Sequence, residues 1–190
     1  MKLQSGTENQ IKKQALALLE SGRPDFDAPH TLAAVYWMKQ LLKTEKSNEK
    51  ILVTAAYLHD IGYSRMGIVN DWQAVHNAKK DHMEHGVKLA APILEKSGFS
   101  KSEKMDVLRL IGVHDKLEAL STPDEYLLFE ADSLGQIDIS RVCSNFDFAG
   151  RKKFIGSFEK KRLPRFRTKT GKKFAAILFP KAKSFYLKEN

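Results

Sequence analysis

Apolar residues recur along most of the chain at the three- and four-residue spacing that is typical of amphipathic helices. Within residues 8–20, this spacing places four apolar residues on one face: Ile11, Ala15, Leu18 and Leu19. Comparable apolar stripes predict further helices, over about 28–43, 48–61, 81–96, 100–114 and 122–132. Signals for strands are poor, so the pattern predicts an all-α fold, a bundle of six or more helices.

Capping residues mark where two of these helices begin. Ser100 with Glu103, and Thr122 with Glu125, have the spacing of capping boxes, in which each side chain bonds the other residue's backbone N–H. Pro123 follows at the first helical position, where a missing N–H costs nothing. These signals favour helix starts at both places.

Other helix boundaries are predicted from single residues. Asp27 is predicted to cap the second helix and Ser47 the third, and Gly62 is predicted to end the third. Pro92 predicts a kink within the fourth helix, because it removes one backbone hydrogen bond. Residues 63–79 are rich in turn-forming types and predict a loop.

The pattern is weaker towards the C-terminus. Residues 146–163 are compatible with another helix, and 172–188 are ambiguous between a short helix and an irregular apolar segment. We predict a single domain over 1–145, with a C-terminal extension over 146–190 that packs on the same domain.

Composition indicates an ordinary globular protein. The chain has 190 residues, of which 42% are hydrophobic and 29% charged. No apolar run approaches the roughly 20 residues that cross a bilayer, and no apolar signal segment follows Met1. The expectation is a cytoplasmic protein with no membrane partner, and its oligomeric state stays open.

The single cysteine, Cys143, can form neither an internal disulfide nor a thiolate metal site, and is expected to be buried.

The net charge of +9 is unevenly distributed, since residues 1–150 carry −3 and residues 151–190 carry +12. An anionic partner is one explanation of such asymmetry. Four phenylalanines interleave with the basic residues of 151–173: Phe154, Phe158, Phe166 and Phe174. This composition is compatible with a nucleic-acid surface. It is equally compatible with a solvated basic face whose phenylalanines pack inward, so both interpretations remain open.

Histidine and aspartate fall on five consecutive predicted helices, several of them near a helix end: His30, His59, Asp60, His85, His114 and Asp132. Such side chains can converge at one end of a bundle. Imidazole and carboxylate groups bind divalent ions such as Mn, Fe, Ni, Co, Zn or Mg. A bound divalent ion lowers the pKa of water and polarises a phosphoryl oxygen, so this pattern favours metal-dependent hydrolysis.

The order and surroundings of these residues resemble the HD superfamily, which is named for a His-Asp doublet. Residues 55–62 (AAYLHDIG) fit its middle block, and residues 129–134 (FEADSL) resemble its late block. The resemblance covers about 28–140. It implies an all-α metal-dependent phosphohydrolase with four metal ligands: His30, His59, Asp60 and Asp132. It also implies that Asp60 is the catalytic residue and is shared if two ions bind.

Members of the family that bind two metals add two histidines between the doublet and the late aspartate. By this resemblance His85 and His114 complete the site, so one or two ions bind per chain. His85 is preferred over His82 because Gly86 follows it, as in the family. Three roles stay open for His82, which lies three residues earlier: it replaces His85 as a ligand, orients His85 or contacts substrate.

The expected reaction is hydrolysis of a phosphate monoester or diester, with a nucleotide or another small phosphorylated metabolite as substrate. Four side chains are candidate substrate contacts: Lys116, Arg141, Arg65 and His82. Residues 61–66 lack the acidic pair of the alarmone branch, and the Gly-Tyr-Pro signature of the cyclic-dinucleotide branch is absent. Three alternatives stay open: a nuclease that uses 151–173 to bind nucleic acid, a di-iron oxygenase, and a metal-binding interaction module without catalysis.

Overall fold

A computed structural model describes residues 2–23, 25–65, 67, 71–79 and 81–189. The α-helices are, in order, α1 (Ser5–Leu19), α2 (Asp27–Leu41), α3 (Glu49–Leu58), α4 (Trp72–Ala78), α5 (His82–Lys96), α6 (Lys101–Val113), α7 (Pro123–Ile137), α8 (Phe148–Ser157) and α9 (Lys169–Tyr186). These described ranges contain no strand, and the prediction of an all-α fold is confirmed.

The two predicted capping boxes are present, and the two single-residue caps are not. Ser100 with Glu103 and Thr122 with Glu125 make both reciprocal bonds of a capping box. Asp27 is instead the first residue of α2. Its carboxylate accepts hydrogen bonds from the backbone and guanidinium of Arg23.

The third helix begins one residue later than a cap at Ser47 would require. Asn48 precedes its first turn, and the hydroxyl of Ser47 donates to Asp124, at the start of α7. The predicted loop over 63–79 also contains an unpredicted helix, α4. Asp71 caps α4 by accepting from the N–H of Ala74.

Gly62 is essential for a different reason from the one its position suggested. The chain does not stop there but continues as a 3-10 turn, Ile61–Arg65. A Cβ atom on Gly62 would lie 1.8 Å from the carbonyl oxygen of His82 and 2.7 Å from the backbone nitrogen of Gly86. Only glycine therefore lets this turn pack directly against the first turns of α5.

Helix α7 is the central helix of the bundle, and twelve of its fifteen residues are buried. It packs closely along α2 at Gly135, where a Cβ would lie 3.0 Å from the backbone nitrogen of Ala34. The buried residues of α7 include Glu130, Asp132 and Ser133. Buried polar groups are costly unless they are hydrogen-bonded, so these three need partners from neighbouring elements.

The C-terminal segment packs on the same hydrophobic core as the rest of the chain. After α8 it forms a π-helical turn, Phe158–Arg162, and a 3-10 turn, Leu163–Arg165, before α9. Phe154, Phe158 and Phe166 are buried in this core. This packing supports the inward orientation of the phenylalanines of the basic segment rather than their exposure on a binding surface.

Two smaller findings complete the description of the fold. No helix in the described part of the chain is long and apolar enough to span a bilayer. Cys143 is partly exposed rather than buried, and its thiol donates to the carbonyl of Ile139.

Candidate metal centre

Six buried side chains converge where α2, α3, α5, α6 and α7 meet: His30, His59, Asp60, His82, His114 and Asp132. Helix ends supply several of them. His59 directly follows α3, His114 directly follows α6, and His82 begins α5. Asp60 is the next residue after His59, and His30 and Asp132 face each other across the close contact between α2 and α7.

One half of the cluster surrounds one oxygen of Asp60. Its Oδ2 atom lies 3.5 Å from Nε2 of His30 and 3.3 Å from Nε2 of His59. Oδ1 of Asp132 lies 3.0 Å from Nε2 of His30 and 3.8 Å from Nε2 of His59. The two imidazole Nε2 atoms are 3.3 Å apart. Four potential ligand atoms therefore point into one small volume.

The other half of the cluster faces the second oxygen of Asp60. Its Oδ1 atom lies 3.3 Å from Nε2 of His114 and 3.5 Å from Nε2 of His82. These two Nε2 atoms are 3.2 Å apart. Asp60 thus stands between two groups of nitrogens and presents one carboxylate oxygen to each.

Hydrogen bonds on the far side of three imidazoles determine which nitrogen faces the cluster. The Nδ1 atoms of His59, His82 and His114 lie 2.8–3.0 Å from backbone carbonyl oxygens three residues earlier. A carbonyl only accepts, so Nδ1 carries the hydrogen, and Nε2 of the neutral ring is an unprotonated lone pair. Lone pairs that face one another and a carboxylate repel unless a cation lies between them. The donor set therefore fits a metal ion.

The surroundings shift the pKa values of His59 and His82 in opposite directions. Burial lowers the pKa of His59, but the carboxylates of Asp60 and Asp132 raise it well above its ordinary value. Burial and the neighbouring His114 lower the pKa of His82 to about 4. His82 is therefore neutral, the form in which imidazole binds metals.

Aromatic rings support two of the histidines from outside the cluster. Phe26 stacks on His30 at 5.4 Å, and Tyr63 stacks on His82 at 4.3 Å, with interplanar angles of 9° and 10°. The guanidinium of Arg23 lies 4.6 Å from the Phe26 ring and 5.4 Å from the Tyr63 ring. Arg23 thus bridges the two supporting rings.

The other side of Asp132 contacts a cation from the C-terminal segment. Nη2 of Arg162 donates to Oδ2 of Asp132 at 2.5 Å, and Nη1 donates to Asp115 at 2.8 Å. Lys79 donates to the second oxygen of Asp115 at 2.7 Å. Burial raises the pKa of Asp132, but Arg162, His30 and the other neighbours hold it well below its ordinary value.

A pocket with an empty volume of about 610 Å³, measured out to its open mouth, leads to the cluster. His30, Asp60 and Asp132 lie on its surface. Several further lining residues come from α4, α8 and the segments beside them, and they include an aromatic group: Trp72, Phe146 and Phe154. The Trp72 ring makes edge contacts with both phenylalanines. A ligand in this pocket meets cations and apolar rings together.

The structure brings His82, and not His85, to the cluster. His85 is half-buried on α5 and belongs to none of the three-residue groups that could hold an ion. Gly86 packs beside the carbonyl of His59. Residues four apart on a helix are separated by only about 40° around its axis, whereas neighbours are separated by about 100°. Gly86 therefore indicates His82 as the residue on the cluster's face.

The other predicted substrate contacts lie away from the pocket or outside the described side chains. Lys116 is exposed and does not line the pocket. Arg141 is exposed, pairs with Asp138 and lies over the ring of Tyr36 at 3.3 Å. The side chain of Arg65 lies outside the described part of the structure.

Sequence reasoning missed several residues that surround the cluster. Asp115 carried a usable signal, because it forms a second His-Asp doublet with His114. Arg23, Tyr63 and Arg162 carried none, because each reaches the site only through the packing of separate helices.

The family model of the HD domain matches residues 28–137. No curated protein and no solved structure gives a significant match to the chain.

Proposed function

Because the chain belongs to the HD-domain family of metal-dependent phosphohydrolases, we propose that it hydrolyses a phosphate monoester or diester of a small molecule, most simply a nucleotide. The observation that carries this proposal is the buried set of imidazole Nε2 atoms that lie 3.3–3.5 Å from the two oxygens of Asp60. Such a set of nitrogen and oxygen donors suits a divalent cation.

We assign the ligands in two groups that share Asp60. The first group is His30, His59, Asp60 and Asp132. The second is Asp60, His82 and His114, with His82 in the role that the resemblance suggested for His85. The distances of 3.0–3.8 Å between neighbouring donor atoms support both groups.

The residues of the chain prepare the site for hydrolysis. A divalent ion held by these ligands would lower the pKa of a bound water and stabilise the charge that develops on the phosphoryl group. Asp60, which we propose as the catalytic residue, presents one oxygen to each ligand group. The Nδ1 hydrogen bonds of three histidines hold the ring nitrogens in place before substrate arrives, so that no reorganisation is needed during the reaction. Arg23 and Lys79 add positive charge to the pocket wall.

The pocket supports a small substrate over a polynucleotide. Phe154, Phe158 and Phe166 of the basic segment are buried, so they form no exposed row on which successive bases of a polynucleotide could stack. Aromatic residues instead line the pocket, where they suit the base of a single nucleotide. We also propose that 1–145 is the catalytic domain and that 146–190 completes its pocket, because both segments contribute lining residues.

The test is elemental analysis of the protein purified without chelator, together with a screen of nucleoside phosphates and chromogenic phosphate esters. We expect one or two divalent ions per chain and metal-dependent phosphate release. Asp60→Ala should lose both, and Asp106→Ala should keep both, because Asp106 is exposed on α6.

Other outcomes would either refute the proposal or indicate one of the three alternative functions. A protein that binds no metal after incubation with Mn²⁺, Fe²⁺, Ni²⁺ or Zn²⁺ would refute the proposal. Bound iron with oxygen uptake and no phosphate release would indicate the oxygenase. Bound metal without turnover on any ester would indicate the interaction module, and cleavage of polynucleotides in preference to nucleotides would indicate the nuclease.

A further inference from the structure

Arg162 reaches the metal centre from a part of the chain that lies beyond the HD match. It stands 30 residues after Asp132, at the end of the π-helical turn Phe158–Arg162. Its side chain is only 6% exposed, although the lysines beside it, Lys160 and Lys161, are exposed. Removing a guanidinium from water costs free energy, so this group is buried only when several acceptors surround it.

Three acceptors do surround the Arg162 guanidinium. Nη2 donates to Asp132, Nη1 donates to Asp115, and Nε donates to the hydroxyl of Ser133 at 2.9 Å. One face of the guanidinium lies 4.9 Å from the centre of the Phe129 ring. These contacts restrain the group on both edges and on one face, so it has a single orientation.

This orientation gives the two oxygens of Asp132 different surroundings. Oδ2 is held by Arg162, whereas Oδ1 lies 3.0 Å from Nε2 of His30, on the side of the proposed ion, and accepts a hydrogen bond from Nε2 of Gln136 at 2.9 Å. Without Arg162, Oδ2 would lose its donor, and the hydrogen bond from Gln136 would be left to oppose rotation of the carboxylate about its terminal bond. The guanidinium thus helps to select which oxygen is available.

Asp115 and Lys79 hold Arg162 in turn. Lys79 donates to Oδ2 of Asp115, and Arg162 donates to Oδ1 of the same carboxylate. The signs of charge alternate along Lys79, Asp115, Arg162 and Asp132, so each buried charge has an opposite neighbour. The π-helical turn places Phe158 and Arg162 on one buried side, where α-helical spacing is interrupted. Such turns are frequent at functional sites.

We infer that Arg162 is a positioning residue of the metal centre, which holds Asp132 so that its Oδ1 atom faces the ion. The inference rests on the proposed function, in which Asp132 is a ligand. It assigns a role to the C-terminal segment: the segment supplies a part of the metal site that the HD match does not contain.

The test is the Mn²⁺ affinity of metal-free protein, measured by calorimetric titration, for wild type, Arg162→Met and Arg162→Lys. Loss of a group that orients a ligand typically weakens metal affinity by about 10- to 100-fold, and we expect that loss in Arg162→Met. Arg162→Lys keeps the charge but not the planar fork, so it should also lose affinity. Arg165→Met is the control, because Arg165 pairs with the exposed Glu118 in the same segment and should bind as wild type does.

A second readout separates positioning from stability. The melting temperature of each metal-free variant reports folding, and the visible spectrum of bound Co²⁺ reports the geometry of the ligands. We expect Arg162→Lys to remain folded with an altered Co²⁺ spectrum, and this variant decides the question if Arg162→Met does not fold.

Three results would overturn the inference. Unchanged affinity and spectrum in Arg162→Lys, even with a lower melting temperature, would make Arg162 merely structural. Tighter Mn²⁺ binding in Arg162→Met would mean that the guanidinium acts only by repelling the metal ion. If wild type binds no metal, both the proposed function and the inference fail. If wild type binds metal and the Arg162 variants bind it equally well, the inference alone fails.

Discussion

At the scale of single residues, free carbonyl groups at helix ends orient two of the histidines in the cluster. The last four carbonyls of a helix have no partner within it. His59 and His114 each follow the last residue of a helix, and their Nδ1 atoms bond the carbonyls of Ala56 and Ile111. One contact therefore satisfies the helix end and directs Nε2 inward. His30 differs, because its Nδ1 has no hydrogen-bond partner among the described residues.

The two histidines near the start of α5 should respond differently to substitution. His82→Ala removes an Nε2 atom that lies 3.5 Å from Asp60 and 3.2 Å from Nε2 of His114, so we expect fewer bound ions or at least tenfold weaker Mn²⁺ binding. His85→Ala is the matched control and should bind Mn²⁺ as wild type does, since His85 lies outside the cluster. Metal titration measures both. The reverse pattern would restore the ligand set in which His85 replaces His82.

At the scale of elements, the close contact between the 3-10 turn and α5 controls which residues of α5 reach the cluster. Gly62 lies directly against the backbone of His82 and Gly86. Gly86 also packs against Ile111 of α6, at 3.2 Å from where its Cβ would lie. Two glycines thus set the rotation of α5 about its own axis, and this rotation puts His82 on the inner face.

Gly62→Ala should disrupt this contact. Its Cβ would overlap the carbonyl of His82, and overpacking against backbone atoms costs about 3 kcal/mol. We expect a lower free energy of unfolding in urea together with weakened metal binding, because His82 would move with α5. Gly156→Ala is the control: no atom lies within 4 Å of its Cβ, and alanine in a helix is favoured by roughly 0.5–1 kcal/mol. Equal stability of the two variants would contradict this account.

At the scale of the whole molecule, buried polar contacts from α7 tie the C-terminal segment to the HD domain. Asp132 and Ser133 bond Arg162, as described above. Glu130, fully buried on the same helix, accepts hydrogen bonds from the backbone of Arg167 and from the backbone and hydroxyl of Thr168. The carboxylate thereby satisfies N–H groups at the start of α9. One helix therefore holds both the metal centre and the extension.

Glu130→Ala should loosen the C-terminal segment. It leaves two backbone N–H groups and one hydroxyl, all part-buried, without their acceptor, and an unsatisfied group costs up to about 1–3 kcal/mol when it is fully buried. We expect a loss of several kcal/mol in urea unfolding and faster proteolysis within α9. Glu118→Ala is the control, because it removes the exposed partner of Arg165, which also belongs to the C-terminal segment. It should lower the free energy of unfolding by less than about 1 kcal/mol. An unchanged unfolding midpoint in Glu130→Ala would show that α9 is held by its apolar face alone.

The sequence by itself determined the features that depend on neighbours along the chain. The helical periodicity, both capping boxes and the family pattern around His59 and Asp60 are local, because side chains three and four residues apart meet on one helix face. These patterns were sufficient for the all-α fold and for the HD family. They also named five of the six side chains that converge: His30, His59, Asp60, His114 and Asp132.

Only the tertiary structure decided the features that depend on how helices are rotated and which distant segments meet. His82 and His85 are nearly equivalent along the sequence, and the packing of Gly62 against α5 separates them. In the sequence, Arg162 is one of many cations in a basic segment. Its burial beside Asp132 depends on contacts between segments about 30 residues apart. Such contacts arise from the shape of the whole core, which no local pattern encodes.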